Sequence, residues 1–477
     1  MPSRRALLSG AGAAGAAGLA TAATSLPATA APAEKAKGGK GGSTGDSPLK
    51  GRATMLGVPF AQRDTVRVGL IGLGNRGGTM YEGWAAVPGT SIDAVCDIRA
   101  DRATKIADAL EDAGKDRPRE FGGSEDSFQE MLDEVELDLV YIASPWEFHY
   151  AQGKAALLAG ANVAVELPIA TELDEIWDLV GTVEKTKNHL FLAENCCYGR
   201  NELAMMRAAH AGVFGDLSDG AGGYCHDLRA LLFDEDYYTD HWRRTWHTKH
   251  NRSFYAMHGL GPVANAMDIN RGDRITTIRA QASAARGLAD YRKRFMPPEH
   301  PSWKDTYVTG DLVTCMHETE KGRSIRTELN TTTARPYSRI NSIQGARGLF
   351  EDYVGTGDSG GRIYVEPDHG DDAWHSFDSF QEEFDHWLWK EVGDDAESNG
   401  GHGGIDYLLQ WRTIQCIRLG LVPDIDVYDS ATWCAAVPMS EMSIDQGGAT
   451  LDYPDFTRGR WSELRQGIDS KKKEMPK

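Results

Sequence analysis

The sequence predicts an α/β protein. A doubly wound parallel sheet comes first, and an α+β domain with an open, mostly antiparallel sheet follows. Three observations carry this. From Thr65 to Asn195, short apolar runs alternate with helical patterns, which is the signature of βαβ units. A glycine-rich turn closes the first of those runs. Beyond Asn195, segments alternate apolar and polar residues, as strands do when one face packs on a core. The 477 residues are 41% hydrophobic and 25% charged. That excludes a wholly disordered, coiled-coil or collagen-like chain and leaves length for two or three domains.

In chain order, residues 1–33 read as an export signal. Ser3-Arg4-Arg5-Ala6-Leu7-Leu8 supplies a basic start, a soft Ala/Gly-rich run follows to about Ala23, and A-x-A cleavage options lie between Pro27 and Ala33. The paired arginines resemble a twin-arginine signal, which predicts a periplasmic or extracellular protein. Loss of Arg4 and Arg5 with that segment lowers the formal charge of −19 by a further two. Residues 34–64 are rich in Gly, Lys and Ser and predict a flexible linker or arm. Residues 65–194 form the first domain, with strands expected at 66–73, 92–98, 137–143, 163–167 and 190–193 and helices at 102–110 and 172–185. Residues 195–477 form the second domain. Strands are expected at 311–319 and 324–332 and helices near 376–392 and 407–419, and no clean alternation marks 234–255.

Composition narrows the partners. With 51 Lys+Arg against 70 Asp+Glu, the surface repels phosphate backbones, so nucleic acid is not expected. No stretch after the signal is long and apolar enough to span a membrane. The seven cysteines include no C-x-x-C pair and read as buried small hydrophobes.

The turn after the first strand is Gly72-Leu73-Gly74-Asn75-Arg76-Gly77, the G-x-G-x-x-G of a Rossmann dinucleotide site. Gly72 permits the tight turn, Gly74 admits the pyrophosphate, and Gly77 lets the helix pack close to the strand. The helix start then presents free N–H groups to phosphate. Asp97 closes the second strand, where a carboxylate binds ribose hydroxyls and repels a 2′-phosphate. The predicted cofactor is therefore NAD, with Arg99 the one feature that would tolerate NADP.

Val165-Glu166-Leu167-Pro168 ends the fourth strand. With the Rossmann start it resembles the Gfo/Idh/MocA superfamily, whose members usually place a lysine where this chain has Leu167. Leucine cannot relay a proton, which argues against ordinary dehydrogenase chemistry. Further segments narrow the likeness: Ser144-Pro145-Trp146-Glu147-Phe148-His149, Glu194-Asn195-Cys196-Cys197-Tyr198-Gly199-Arg200, Gly223-Tyr224-Cys225-His226-Asp227-Leu228-Arg229, Tyr255-Ala256-Met257-His258 and Arg335-Pro336-Tyr337-Ser338-Arg339. In this order they resemble the NAD-dependent glycosidases typified by α-N-acetylgalactosaminidase. The resemblance implies NAD contacts at Asn75, Arg76, Asp97, Trp146, Glu147, Phe148, His149, Glu166, Leu167 and Asn195. It implies sugar contacts at Tyr224, Arg243, Tyr255, Ala256, Met257, His258 and Tyr337.

The same resemblance implies redox-assisted elimination: transient oxidation at sugar C3, loss of the C2 proton, departure of the C1 substituent, addition of water and re-reduction. This departs from the two-carboxylate route of most glycosidases. His258 is the expected acid/base, because an imidazole needs little tuning near neutral pH. Tyr255 and Tyr224 are the other catalytic candidates. Family members commonly read Tyr-Pro-Thr-His at 255–258, so Ala256 and Met257 are expected to reshape the pocket wall and with it the choice of sugar. The expected substrate is a glycan or small glycoside with terminal N-acetylgalactosamine, and superfamily likeness suggests a homodimer. The competing readings are a sugar dehydrogenase with exchanging NAD and a non-catalytic NAD- or sugar-binding protein.

Weaker constellations are expected to be structural. His241, His247 and His250 show no recognised metal spacing, so no metal is assigned. Cys196-Cys197 reads as strand-end packing, and Glu382, Glu383 and Asp385 as a solvated helix face. Arg243 could instead pair with the acidic 234–240 stretch. The two G-x-S-x-G matches, at Ser43 and Ser359, read as glycine-rich loops rather than nucleophile elbows.

Overall fold

A computed structural model describes residues 54–354, 360–366, 372–465 and 467–468. The expected export signal, residues 34–53 of the expected arm, Ser43 and Ser359 lie outside the described residues.

The first sheet is built from β1 (Val66–Ile71), β2 (Thr90–Asp97), β3 (Arg119–Gly122), β4 (Leu139–Ile142), β5 (Asn162–Val165) and β6 (Leu190–Leu192). Their spatial order is β3-β2-β1-β4-β5-β6, and every pairing is parallel. The strands are near-continuous apolar runs because helices cover both faces. These are α1 (Gly77–Ala86), α2 (Ala100–Asp112), α3 (Ser127–Glu134), α4 (Trp146–Leu158) and α5 (Leu173–Thr186). The order reverses between β1 and β4, the switch point where such sheets bind their ligands. β3 was not expected. It is an edge strand in which Phe121 alone is buried, so it carries no apolar run to read.

The second sheet needs α6 (Arg200–His210), β7 (Leu217–Cys225), α7 (Arg229–Phe233), α8 (Trp242–Lys249), α9 (Ala256–Ala266), β8 (Ile275–Ala282), α10 (Gly287–Phe295), β9 (Val313–Thr319), β10 (Ser324–Asn330), β11 (Ser342–Gly345), β12 (Gly348–Glu351), β13 (Arg362–Val365) and β14 (His375–Ser376). After these come α11 (Asp378–Phe384), α12 (Trp387–Asn399), α13 (Ile405–Leu419), α14 (Val427–Asp445) and β15 (Leu451–Asp452). The sheet runs β14-β13-β12-β11-β7-β10-β9-β8-β15. Among the described residues only β7 and β10 pair in parallel in this sheet, so it is open and mostly antiparallel.

The expected helix at 376–392 is two helices, broken at Asp385 and His386. Asp385 is buried and forms a bidentate ion pair with Arg200, at 2.7 and 3.0 Å, so it does not share the solvated face of Glu382 and Glu383. Helix α14 carries no amphipathic signal because it is buried on all sides. It joins the two sheets: Ser430 Oγ accepts from Leu192 N at 2.9 Å, and Ser443 Oγ accepts from Ala280 N at 2.9 Å. The described end of the expected flexible arm is also packed. Met55 and Phe60 are buried, Met55 N donates to Tyr428 Oη at 2.8 Å, and Phe60 N donates to the Leu421 carbonyl at 2.9 Å. Among the described residues, no helix is long and apolar enough to cross a membrane.

Candidate active site

The cofactor side is built at the carboxyl ends of the parallel strands. Gly72 has φ +82°, a conformation that side chains resist, and a Cβ there would lie 2.5 Å from Ser144 N. A Cβ on Gly77 would lie 1.8 Å from the Gly72 carbonyl oxygen, so no residue but glycine allows α1 to start this close to β1. A Cβ on Gly74 would meet only the Arg102 guanidinium within 4 Å, which leaves the face for a pyrophosphate open. The Asp97 carboxylate braces the turn by accepting from Leu73 N at 2.7 Å and Arg99 N at 2.8 Å. This cradle fits a dinucleotide.

The remaining cofactor-side residues are held by one another. Arg76 donates to Glu166 Oε1 at 2.8 Å and to both oxygens of Asp406 at 2.8 and 2.9 Å. Asn195 Nδ2 donates to Asp406 Oδ1 at 2.7 Å, and the Tyr141 hydroxyl donates to Glu166 Oε1 at 2.7 Å. Asp406 thus ties together two residues expected at the cofactor, Arg76 and Asn195. It opens α13, far along the chain, and only the fold places it here. Burial raises its pKa, but Arg76 and His402 reverse that and hold the carboxyl well below the usual range.

Trp146, at the start of α4, stacks on Phe254 with ring centroids 5.1 Å apart and meets Trp242, Trp246 and Tyr255 edge-on. Exposed Glu147 accepts from Trp246 Nε1 at 3.1 Å. Phe148 is half-buried, and Asn75 is exposed on the glycine turn. His149 is buried, with Nδ1 2.6 Å from the Pro168 carbonyl and Nε2 2.8 Å from the Ser144 carbonyl. It clamps the loops after β4 and β5, and burial lowers its pKa. Leu167 is buried beside that clamp, on the cis Leu167–Pro168 bond.

The sugar side rests on a contact between glycines. A Cβ on Gly222 of β7 would fall 2.2 Å from the Gly259 carbonyl oxygen, and a Cβ on Gly259 would fall 2.3 Å from Gly223 N. Helix α9 therefore lies directly on β7. That places Tyr224 and His258 with ring centroids 4.9 Å apart. Tyr255 stacks on His258 at 5.5 Å with planes 4° apart, and Tyr337 meets Tyr224 edge-on at 6.1 Å. The Arg243 guanidinium lies 4.3 Å from the Tyr255 ring centroid and 5.6 Å from that of Trp146. It donates to the Tyr238 hydroxyl at 2.5 Å, and its positive charge acts on the Tyr224 phenol. Arg243 is therefore engaged by aromatic residues and forms no ion pair with the acidic 234–240 stretch.

His258 differs from the expectation. Its Nδ1 lies 2.8 Å from Glu194 Oε1 and 3.1 Å from Cys196 Sγ. Burial lowers its pKa, but the Cys196 sulfur and the Glu194 carboxylate more than reverse this and raise it to about 10. At neutral pH the ring is an imidazolium rather than a poised base. Tyr224 bends the other way, toward His226. The Tyr224 hydroxyl lies 3.1 Å from His226 Nδ1, and burial together with Arg243 lowers the His226 pKa, so that ring is neutral. Burial raises the Tyr224 phenol to about 12, opposed by Arg243, and burial also raises Tyr255 and Tyr337.

The structure brings Tyr224, Arg243, Tyr255, His258 and Tyr337 together and leaves two expected residues aside. Ala256 and Met257 are 1% and 0% exposed. The helical turn from Tyr255 to His258 points the outer pair to the site and these two into the core, so they do not form the pocket wall. Glu194, Cys196, His226 and Asp406 join the site without having been assigned to it. Cys197 is buried packing, as expected, whereas Cys196 is not packing alone. His247 is buried and neutral, its pKa lowered by burial to about 3, and His250 turns to Glu441 at 3.2 Å.

The match to known proteins follows the same division. Residues 66–194 match the NAD-binding Rossmann fold of the Gfo/Idh/MocA oxidoreductase family, and residues 198–463 match the C-terminal domain of glycosyl hydrolase 109. The chain is 62% identical over 426 residues to a glycosyl hydrolase family 109 protein of Streptomyces coelicolor, covering 89% of this chain and 90% of that one. It is 50% identical over 430 residues to one of Streptomyces niveus, covering 90% and 85%. Among solved structures, levoglucosan dehydrogenase in complex with NADH is similar at TM-score 0.61 and 17% identity, over 82% of this chain and 100% of that one. An inositol dehydrogenase homologue from Azotobacter vinelandii, complexed with NADH and myo-inositol, is similar at TM-score 0.58 and 16% identity, over 83% and 99%. At such identities the likeness is one of fold. Fold, cradle and relatives together define an NAD-dependent glycosidase on a Gfo/Idh/MocA scaffold. Within that class, the chain belongs to glycosyl hydrolase family 109.

Proposed function

We propose that this protein is an exported α-N-acetylgalactosaminidase that cleaves its substrate by redox-assisted elimination, with NAD retained through each turnover. Bound NAD supplies a two-electron oxidation of the sugar at C3 that is reversed before product leaves. One observation carries the reading: two imidazoles with opposite bias, His226 and His258, both contact Tyr224. Titratable groups pushed apart by their surroundings mark an acid and a base. On one side, neutral His226 can accept the Tyr224 proton as Tyr224 takes the proton of the C3 hydroxyl. On the other, the His258 imidazolium presents Nε2 as a fixed donor to the oxygen that gains charge when the C2 proton leaves. Arg243, held between Tyr255 and Trp146, orients the ring and adds positive charge beside Tyr224. Buried, apolar Leu167 offers no proton relay for a dehydrogenase of the ordinary kind.

The test is to incubate purified protein with a nitrophenyl α-N-acetylgalactosaminide in deuterated water with no added NAD. Aglycone release with deuterium at sugar C2 is expected. Release without deuterium at C2 overturns the elimination, and steady NADH accumulation with intact glycoside overturns the glycosidase assignment. Export is tested by fusing residues 1–33 to a folded reporter. Changing Arg4 and Arg5 to lysine is expected to keep the reporter inside the cell.

A further inference from the structure

We propose that Glu194, Cys196 and His258 form a binding site for a thiophilic divalent cation of the zinc class, and that filling it switches the enzyme off. The three side chains each offer a ligand atom, and these atoms all lie within 4.8 Å of one another. Nδ1 of His258 sits 2.8 Å from Glu194 Oε1 and 3.1 Å from Cys196 Sγ. The set of one sulfur, one imidazole nitrogen and one carboxylate oxygen suits zinc and disfavours the all-oxygen preference of magnesium and calcium.

Two further observations support the site. Glu194 is fully buried, yet its Oε2 has no hydrogen-bond partner among the described residues, so a second carboxylate oxygen is free to turn toward a cation. The backbone also holds the ligands rigidly. Glu194 caps the short helical turn 195–198 by accepting from Cys196 N at 3.0 Å, which fixes both residues on one loop opposite α9. Zinc–ligand bonds of ~2.0 to 2.3 Å at tetrahedral angles put neighbouring donors about 3.4 to 3.6 Å apart. The observed gaps must therefore open by about half an ångström, a side-chain adjustment. Three protein ligands leave a fourth position for water.

The consequence follows from Nδ1 itself. Its lone pair cannot serve a metal and the hydrogen bond to Glu194 together, so a bound cation replaces that 2.8 Å contact, sends the shared proton to solvent and ties up both side chains. The inhibition rests on the function proposed above; the binding does not. Glutamate, cysteinate and neutral histidine carry two negative charges, which a divalent cation cancels in this buried setting.

The test titrates the full-length, NAD-loaded protein with Co²⁺ and follows its absorption spectrum. One equivalent is expected to bring up a thiolate-to-cobalt charge-transfer band, and Zn²⁺ is expected to abolish it by displacement. Cys196→Ser should lose the band and weaken zinc binding by about a hundredfold, the share of one ligand in a four-ligand site. Glycoside cleavage should fall in step with zinc occupancy and return with a chelator. A wild-type protein showing no charge-transfer band overturns the site without recourse to any variant. A band that persists in Cys196→Ser overturns it in favour of another thiol. A band with unimpaired cleavage overturns the switch, and with it the acid role of His258, while the cation site itself stands.

Discussion

Replacing Glu194 by glutamine probes the electrostatics of the site with almost no change in shape. Oε1 accepts from His258 Nδ1 at 2.8 Å, and the amide oxygen of glutamine can take that bond over, so the ring stays in place while the charge goes. The wild-type imidazole is raised from 6.5 to about 10, a differential of about 5 kcal/mol at 1.36 kcal/mol per pH unit. Cys196 and Glu194 share the upward push, and burial opposes it. The variant removes the Glu194 share of that push, so it loses part of the imidazolium stabilisation and its ring titrates below that of the wild type. Histidine NMR titration of the NAD-loaded protein measures this directly. In the proposed mechanism the acid form of His258 is the working one, so activity should fall as pH rises through its pKa, and in Glu194→Gln that limb should move to lower pH with the ring's own titration. Stability gives an independent readout. The folded pKa lies above the unfolded one, so this contribution is fully present below about pH 6.5 and is lost as pH climbs toward 10. The wild type should therefore lose stability across that window, and Glu194→Gln should lose less. A wild-type His258 that titrates near 6.5, or a variant that leaves its titration unmoved, refutes the reasoning.

Four further outcomes follow from the geometry. Gly77→Ala forces a methyl group against the Gly72 carbonyl at 1.8 Å; overpacking of about 1–3 kcal/mol should leave the purified protein at least about tenfold weaker for NAD, read by nucleotide released on denaturation. Asp406→Asn removes the negative charge paired with Arg76 and leaves one acceptor oxygen where Arg76 and Asn195 now use two, and should cost about 3–5 kcal/mol in thermal or denaturant unfolding. Tyr224→Phe keeps the ring against His258 and removes the hydroxyl bonded to His226; kcat should drop about 10²–10⁴-fold with NAD content unchanged. Met257→Thr, at a fully buried position, should leave sugar selectivity alone and cost about 2–5 kcal/mol of stability; a change of preferred sugar would return Met257 to the pocket wall.

How much of this was legible in the sequence depended on how local each constraint is. The β1 turn, Gly72, Gly77 and Asp97 were readable because strand, glycine spacing and acid all lie within one βαβ unit. β3 was missed because an edge strand with a single buried residue, Phe121, leaves no apolar run. Helix α14 was missed because a helix buried all round shows no stripe, and Pro438 within it argues locally against a helix. Asp406 reaches Arg76 and Asn195 through tertiary folding alone. Glu194 and Cys196 were visible beside Asn195, but nothing in spacing ties them to His258, since that contact is made across the fold.

The residues proposed to do the chemistry were easier to recognise than the residues that place them. Tyr224 and His258 stand out in a sequence because their side chains can carry protons. Their 4.9 Å separation is set by Gly222 and Gly259, which read as spacers. Any side chain at either glycine would meet backbone atoms nearer than 3 Å, and backbone cannot turn aside as a flexible side chain can. Helix α9 would have to lift from β7, and His258 would lift with it, away from Tyr224 and from the Glu194 carboxylate that keeps it charged. A substitution at Gly259 is thus expected to damage the proton chemistry while leaving every proton-handling residue in the chain.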